Sequence, residues 1–363
     1  LITTHWINTF SKKHFDFPSF EAQFGPLFFA TPNNMPSLSI IGAGSWATAL
    51  CKIFSESGTQ IKWWFHREED AQHFKQFFHN PRYLTDVYFE GKKVEIFTNL
   101  AECLKGSDWV LIAVPSAFLS EVLSPLDLKL FQGKKVISSV KGILPNELQL
   151  VTDFLADRFH VLRSDMAVIG GPCHAEEVAL EKQSYLTVAA MDQSFAAEIK
   201  RLLSSRYISV SISGDMDGLE WAAVLKNVYA IACGVCHGIG FGDNFQAVLV
   251  SNAMQEMNAF LNQYAPFHRD TLGSAYLGDL LVTAYSTFSR NRTFGNMVGR
   301  GYGIKAAQIE LGMIAEGYFA INGLNKIREK MGLHLPIAEA MYAIMYKQAP
   351  VKETVEKLRG MLV

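Results

Sequence analysis

Lys226 lies in Leu219-Glu220-Trp221-Ala222-Ala223-Val224-Leu225-Lys226-Asn227-Val228-Tyr229-Ala230, where helical spacing leaves apolar residues on nearly every side. Two readings compete for such a lysine. It can snorkel its ammonium to the surface, or it can be buried, which is costly unless the charge is paired or neutralised. Desolvation lowers a lysine pKa, so the buried reading yields a general base usable near neutrality. Lys141, in Ser139-Val140-Lys141-Gly142, is a second candidate because it sits at a strand end before a glycine. The third feature is an absence. No acid occurs between Asp279 and Glu310, while Arg290, Arg292, Arg300 and Lys305 all fall there, centred on Ser289-Arg290-Asn291-Arg292. Arginine offers forked donors to phosphate oxygens, so the stretch reads as an anion site, with a solvated basic face as the alternative.

A base and an anion clamp need a partner for the chemistry, and Ile40-Ile41-Gly42-Ala43-Gly44-Ser45-Trp46-Ala47-Thr48-Ala49-Leu50 supplies one. The apolar run 38–41 reads as a buried strand ending in G-x-G-x-x-A, followed by helical spacing. Gly42 permits the tight turn, Gly44 lets the backbone approach a pyrophosphate, and Ala47 allows close helix–strand packing. The helix N-terminus then offers free N–H groups and a positive dipole end to phosphates. The pattern indicates a dinucleotide site. Its ribose-reading residue is expected after the second strand, 60–65, which runs into His66-Arg67 with acids only from Glu68 onward. A cation suits a 2′-phosphate and an acid suits a 2′-hydroxyl. His66 and Arg67 favour NADP(H); NAD(H) remains possible with Glu68 on the ribose.

The elements that must position these groups change character along the chain. Short β-branched runs at 38–41, 60–65, 94–97, 109–114, 135–139, 167–169, 185–190 and 208–211 alternate with helical patterns. That alternation implies a parallel sheet with helices on both faces, whose ligands sit at the carboxyl ends of the strands. From there on, helical spacing covers 219–235, 244–264, 274–285, 304–330 and 337–347. The fold class is therefore α/β: a Rossmann-like doubly wound N-terminal domain at 37–213, followed by an all-helical C-terminal domain at 214–363. Residues 1–36 are aromatic-rich without a period and read as an N-terminal extension, disordered or an over-called start with Met35 as the natural one.

Composition narrows the class further. Hydrophobic residues make up 49% and charged residues 19% of the 363, with a net charge of −2, which argues against an electrostatic nucleic-acid or membrane binder. No apolar run approaches the eighteen or so residues of a membrane span. Five cysteines in a chain of this length fit a reducing compartment. Cys233-Gly234-Val235-Cys236-His237 satisfies C-x-x-C-H, but it ends an apolar helix where small thiols pack well, so neither haem nor another metal is expected.

Taken in order, these segments resemble the NAD(P)-dependent sn-glycerol-3-phosphate dehydrogenases of the bacterial type. The resemblance rests on the glycine motif, Ala113-Val114-Pro115-Ser116, Val140-Lys141-Gly142-Ile143 and Gly170-Gly171-Pro172-Cys173-His174-Ala175-Glu176-Glu177-Val178. It continues through Leu225-Lys226-Asn227-Val228, Gly238-Ile239-Gly240-Phe241-Gly242-Asp243-Asn244, Leu277-Gly278-Asp279-Leu280, Ser289-Arg290-Asn291-Arg292 and Glu316-Gly317. It implies a cytoplasmic oxidoreductase that exchanges a hydride between dihydroxyacetone phosphate and sn-glycerol 3-phosphate for phospholipid biosynthesis. It also implies Lys226 as acid or base, Lys141 as the group polarising the carbonyl, and Asp279 bonded to substrate or fixing Lys226. Arg290 and Asn291 would hold the phosphate, with Gly171, Cys173, Asn227, Thr283 and Ser289 nearby. Ser45, Trp46, Lys141, Ala175, Arg290 and Glu316 match cofactor-contacting positions. Cys173 departs from the family's usual Ser or Thr. Another two-domain hydroxyacid dehydrogenase and a silent dinucleotide sensor are the competing readings, and a homodimer is left open.

Overall fold

Leu38-Ser39-Ile40-Ile41 buries every side chain on both faces, which a strand does only at the centre of a covered parallel sheet. In the computed structural model, which describes residues 35–91 and 93–363, this run is β1 (Leu38–Ile41). The others are β2 (Ile61–Trp64), β3 (Val94–Phe97), β4 (Trp109–Ile112), β5 (Lys135–Ser138), β6 (Met166–Gly170), β7 (Ser184–Ala190) and β8 (Ile208–Ser213). They form one sheet in the order β3-β2-β1-β4-β5-β6-β7-β8. The edge strands β3 and β8 alternate buried and exposed residues, as one covered face requires. Helices α1 (Ser45–Glu56), α2 (Glu68–Phe77), α3 (Leu100–Leu104), α4 (Ser116–Leu123), α5 (Val151–Phe159), α6 (Ala175–Ala179) and α7 (Gln193–Leu203) link the strands. The extension read at 1–36 lies outside the described residues, save for Met35 and Pro36.

One pairing corrects the expectation of an all-parallel sheet: β7 runs antiparallel to β6, and β8 is again parallel to β7. An apolar run buried on both faces reads the same in either direction, so its pattern carries no polarity.

The C-terminal domain is built around α8 (Met216–Gly238), buried along nearly its whole length. Around it lie α9 (Asp243–Tyr264), α10 (Asp279–Tyr285), α11 (Arg290–Gly299), α12 (Ile304–Leu311), α13 (Glu316–Met331), α14 (Pro336–Lys347) and α15 (Val351–Arg359). Contrary to the sequence reading, α8 is apolar and long enough to cross a membrane, but its apolar window is wholly buried in the protein, as in a core helix. Two buried carboxylates at its N-terminal end are spent on helix starts. Asp215 caps α8 by accepting from Gly218 N and takes Arg269 Nε at 2.6 Å and Tyr276 OH at 2.5 Å. Glu220 accepts from Val151 N at 3.0 Å and Thr152 Oγ1 at 2.7 Å, at the start of α5. Burial raises this carboxyl to about 7.

Two expected helices break up. The 274–285 pattern opens with a π-helical turn at Ser274–Gly278 before α10. The 304–330 pattern splits at Gly312, whose φ of +62° ends α12. The unexpected α11 crosses α8 at glycine contacts. A Cβ on Gly295 would overlap the Ile231 carbonyl, and one on Gly234 would overlap that of Arg292.

Candidate active site

The chain order of the sheet reverses between β1 and β4, and the crevice at that switch is where ligands of open α/β sheets bind. Gly42, at φ +113°, makes the turn out of β1; a Cβ there would stand 2.7 Å from the Ala113 carbonyl oxygen. The turn is held from behind by the buried Asn80, whose Nδ2 donates to Ala43 O and Thr48 Oγ1 at 2.9 Å each. Gly44 is different: a Cβ there would have no protein atom within 4 Å. That space opens on the first turn of α1, as a pyrophosphate cradle needs. Trp46 Nε1, on the same wall, is buried without a hydrogen-bond partner. These residues fit a dinucleotide.

An open cleft runs from this turn to the helical domain. Gly44, Ser45, Trp46, Lys141, Cys173 and Ala175 line it from the sheet side. Lys226, Asn227, Asp279, Thr283, Ser289, Arg290, Asn291 and Glu316 line it from the helices. Of the sequence candidates, Gly42 and Gly171 form turns behind the wall. His66 and Arg67 stand exposed beyond the end of β2, apart from this cleft.

Lys226 is buried, which settles its two readings against snorkelling. Its Nζ lies 2.5 Å from Asp279 Oδ1 as an ion pair without hydrogen-bond alignment, each side chain 4% exposed. Burial foremost, and the nearby Lys141, pull the ammonium down to about 8 against the opposing pull of Asp279. Lys141 Nζ sits 4.9 Å from the centre of the Trp46 ring, so the indole face attracts its charge. Cys173 is a neutral thiol, pushed up to about 12 by burial despite the two lysines.

An amide relay ties the two halves of the site. Asn227 Nδ2 donates to the Lys141 carbonyl at 2.8 Å, Asn291 Nδ2 to Asn227 Oδ1 at 2.9 Å, and Gly317 N to Asn291 Oδ1 at 2.9 Å. The relay fixes the Lys141 backbone and the start of α13 together. Arg290 Nη2 reaches across to Ser45 Oγ at 2.8 Å, and Glu316 Oε1 accepts from Ser116 N at 3.3 Å. Burial raises the Glu316 carboxyl. Ser289 caps α11 by accepting from Arg292 N, and Thr283 Oγ1 donates to the Asp279 carbonyl at 2.6 Å. Of the basic stretch, Arg290 alone lines the cleft, while Arg300 and Lys305 are exposed to solvent.

His174, Phe288 and Ile314 also line the cleft and were not among the sequence candidates. Among the described residues, no group of three or more His, Cys, Asp and Glu is placed to hold a metal ion. Cys233 and Cys236 are fully buried on α8, and burial pushes each thiol to about 12.

Comparison with known proteins agrees with this arrangement. Residues 37–196 match the family model of the NAD-dependent glycerol-3-phosphate dehydrogenase N-terminus, and residues 215–356 match that of the C-terminus. Glycerol-3-phosphate dehydrogenase (NAD(P)+) of Staphylococcus carnosus is 30% identical over 90% of this chain and 98% of its own. That of Oceanobacillus iheyensis is 31% identical over 89% of this chain and 94% of its own. The crystal structure of glycerol-3-phosphate dehydrogenase from Coxiella burnetii superposes with a TM-score of 0.84 at 27% identity, covering 89% of this chain and 98% of that one.

Proposed function

The chain belongs to the NAD-dependent glycerol-3-phosphate dehydrogenase family, and from that premise we propose that it interconverts dihydroxyacetone phosphate and sn-glycerol 3-phosphate with a nicotinamide cofactor. The observation that carries the reading is the buried Lys226–Asp279 pair, in one cleft with the glycine turn and Arg290. Residues 37–213 hold the cofactor and 214–363 supply most of the substrate contacts. A bound nicotinamide supplies or accepts the hydride at C2 of the substrate. In reduction, Lys226 Nζ gives its proton to the carbonyl oxygen as the hydride arrives; in oxidation it takes the proton from the C2 hydroxyl. A lysine near 8 is suited to both tasks. Asp279 orients the ammonium, and Lys141 draws electron density toward the carbonyl oxygen. Arg290 and Asn291 hold the phosphate, Arg290 offering a fork of charged donors. The product would supply glycerophospholipid synthesis.

His66 and Arg67, exposed beyond β2, favour a 2′-phosphate and hence NADPH. Nicotinamide absorbance followed with dihydroxyacetone phosphate tests both statements. The expected result is substrate-dependent oxidation, faster with NADPH, with Arg67→Glu shifting the preference toward NADH. No substrate-dependent rate with either cofactor would overturn the function, and a faster rate with a phosphate-free 2-oxo acid would move it to a hydroxyacid dehydrogenase.

A further inference from the structure

Dihydroxyacetone phosphate has three polar ends. The reading above, on which this inference rests, gives the carbonyl to Lys226 and Lys141 and the phosphate to Arg290 and Asn291. The free hydroxymethyl group is left without a partner. A cleft built for this substrate should answer it with a group that suits a neutral hydroxyl.

His174 has the required chemistry. It follows Cys173 in the turn after β6, directly before α6, and lines the same cleft as Lys226 and Asp279. Its imidazole packs against Phe288, ring centres 5.9 Å apart, and its Nε2 is buried with no hydrogen-bond partner. A buried polar atom left unanswered is costly, and a polar ligand is one way to answer it. The charges around the ring are Lys141 and Lys226 from the cleft and Glu176 and Glu177 on its own helix. Burial first, then the two lysines, lower its pKa, so the ring is neutral at pH 7. A neutral imidazole donates from one ring nitrogen and accepts at the other, so Nε2 can serve a hydroxyl in either sense. The cations around it suit the carbonyl oxygen and the phosphate instead.

We propose that His174 reads the free hydroxyl of the substrate, and so makes the enzyme specific for a phosphorylated hydroxymethyl ketone. A site built to bond a hydroxyl rejects the analogue that lacks it, because its own polar atom is then left unpaired.

The test compares kcat/KM for dihydroxyacetone phosphate with that for acetol phosphate, the same ketone without the hydroxyl. It is run on wild type, His174→Phe and His174→Gln, with NADPH affinity measured by protein fluorescence in each. Wild type is expected to prefer dihydroxyacetone phosphate by about 30-fold or more. His174→Phe should bring the ratio to within about threefold, by losing rate on the hydroxylated substrate alone, with NADPH affinity unchanged. His174→Gln, which keeps a donor and an acceptor, should restore part of the preference. A structural role would lower both rates together and leave their ratio intact, so a His174→Phe variant with the wild-type ratio overturns the proposal. A wild type that reduces acetol phosphate as fast as dihydroxyacetone phosphate overturns it while leaving the function standing. A wild type that reduces neither overturns the function, and the role of His174 with it.

Discussion

Lys226→Ala is expected to lower kcat for dihydroxyacetone phosphate reduction by about a thousandfold, within the range for loss of a positioned acid–base group. NADPH affinity should stay near that of the wild type, because the proposed function assigns Lys226 to the substrate rather than to the cofactor. The pH profile separates this loss from a packing defect. In reduction the ammonium is the acid, so the wild-type rate should fall as pH rises through about 8. In oxidation the neutral amine is the base, so the rate should climb through the same pH. Both limbs should vanish in the variant. Lys226→Arg keeps the charge but cannot deprotonate in this range, so it should not rescue oxidation. Removing the ammonium leaves Asp279 buried without its counter-charge, which also costs stability. Thermal melting must therefore show a folded variant before its rate is read. A folded Lys226→Ala protein within tenfold of wild type would remove Lys226 from the chemistry.

Gly295→Val is expected to destabilise the protein by about 3 kcal/mol or more, the upper range for overpacking in a core. The reason is the kind of neighbour. A Cβ on Gly295 would overlap the backbone carbonyl of Ile231 on α8, and backbone in a buried helix cannot step aside as a side chain can. The contact also sets the site, because α11 carries Arg290 and Asn291 while α8 carries Lys226 and Asn227. Denaturant unfolding should show a lower midpoint, with lost activity in whatever remains folded. Unchanged stability would mean that the α8–α11 crossing is looser than its glycines imply.

The strands of the sheet and the core helix were readable because burial leaves a periodic trace. An apolar run such as Leu38–Ile41 has one good home, and the glycines after it have one good turn. The direction of β7 left no such trace. Nor did α11: Arg290-Asn291-Arg292-Thr293-Phe294-Gly295-Asn296 is mostly polar and interrupted by a glycine, and its helix is held by contact with α8 rather than by its own propensity. Within the site, the burial of Lys226 showed in its neighbours along the chain. Its ion pair with Asp279 did not, because that contact depends on how α8 and α10 pack. The Asn227–Asn291 relay was hidden for the same reason. His174 stands in the 170–178 motif, but the motif assigned it no role; its place on the cleft wall brings it forward.

The most direct test of the account follows one atom. NADPH carrying deuterium at its transferable position is incubated with the protein and dihydroxyacetone phosphate, and the phosphorylated product is isolated. The account predicts sn-glycerol 3-phosphate with the deuterium at C2 alone. Deuterium at another carbon, or cofactor oxidation with no label in a phosphorylated product, would contradict it.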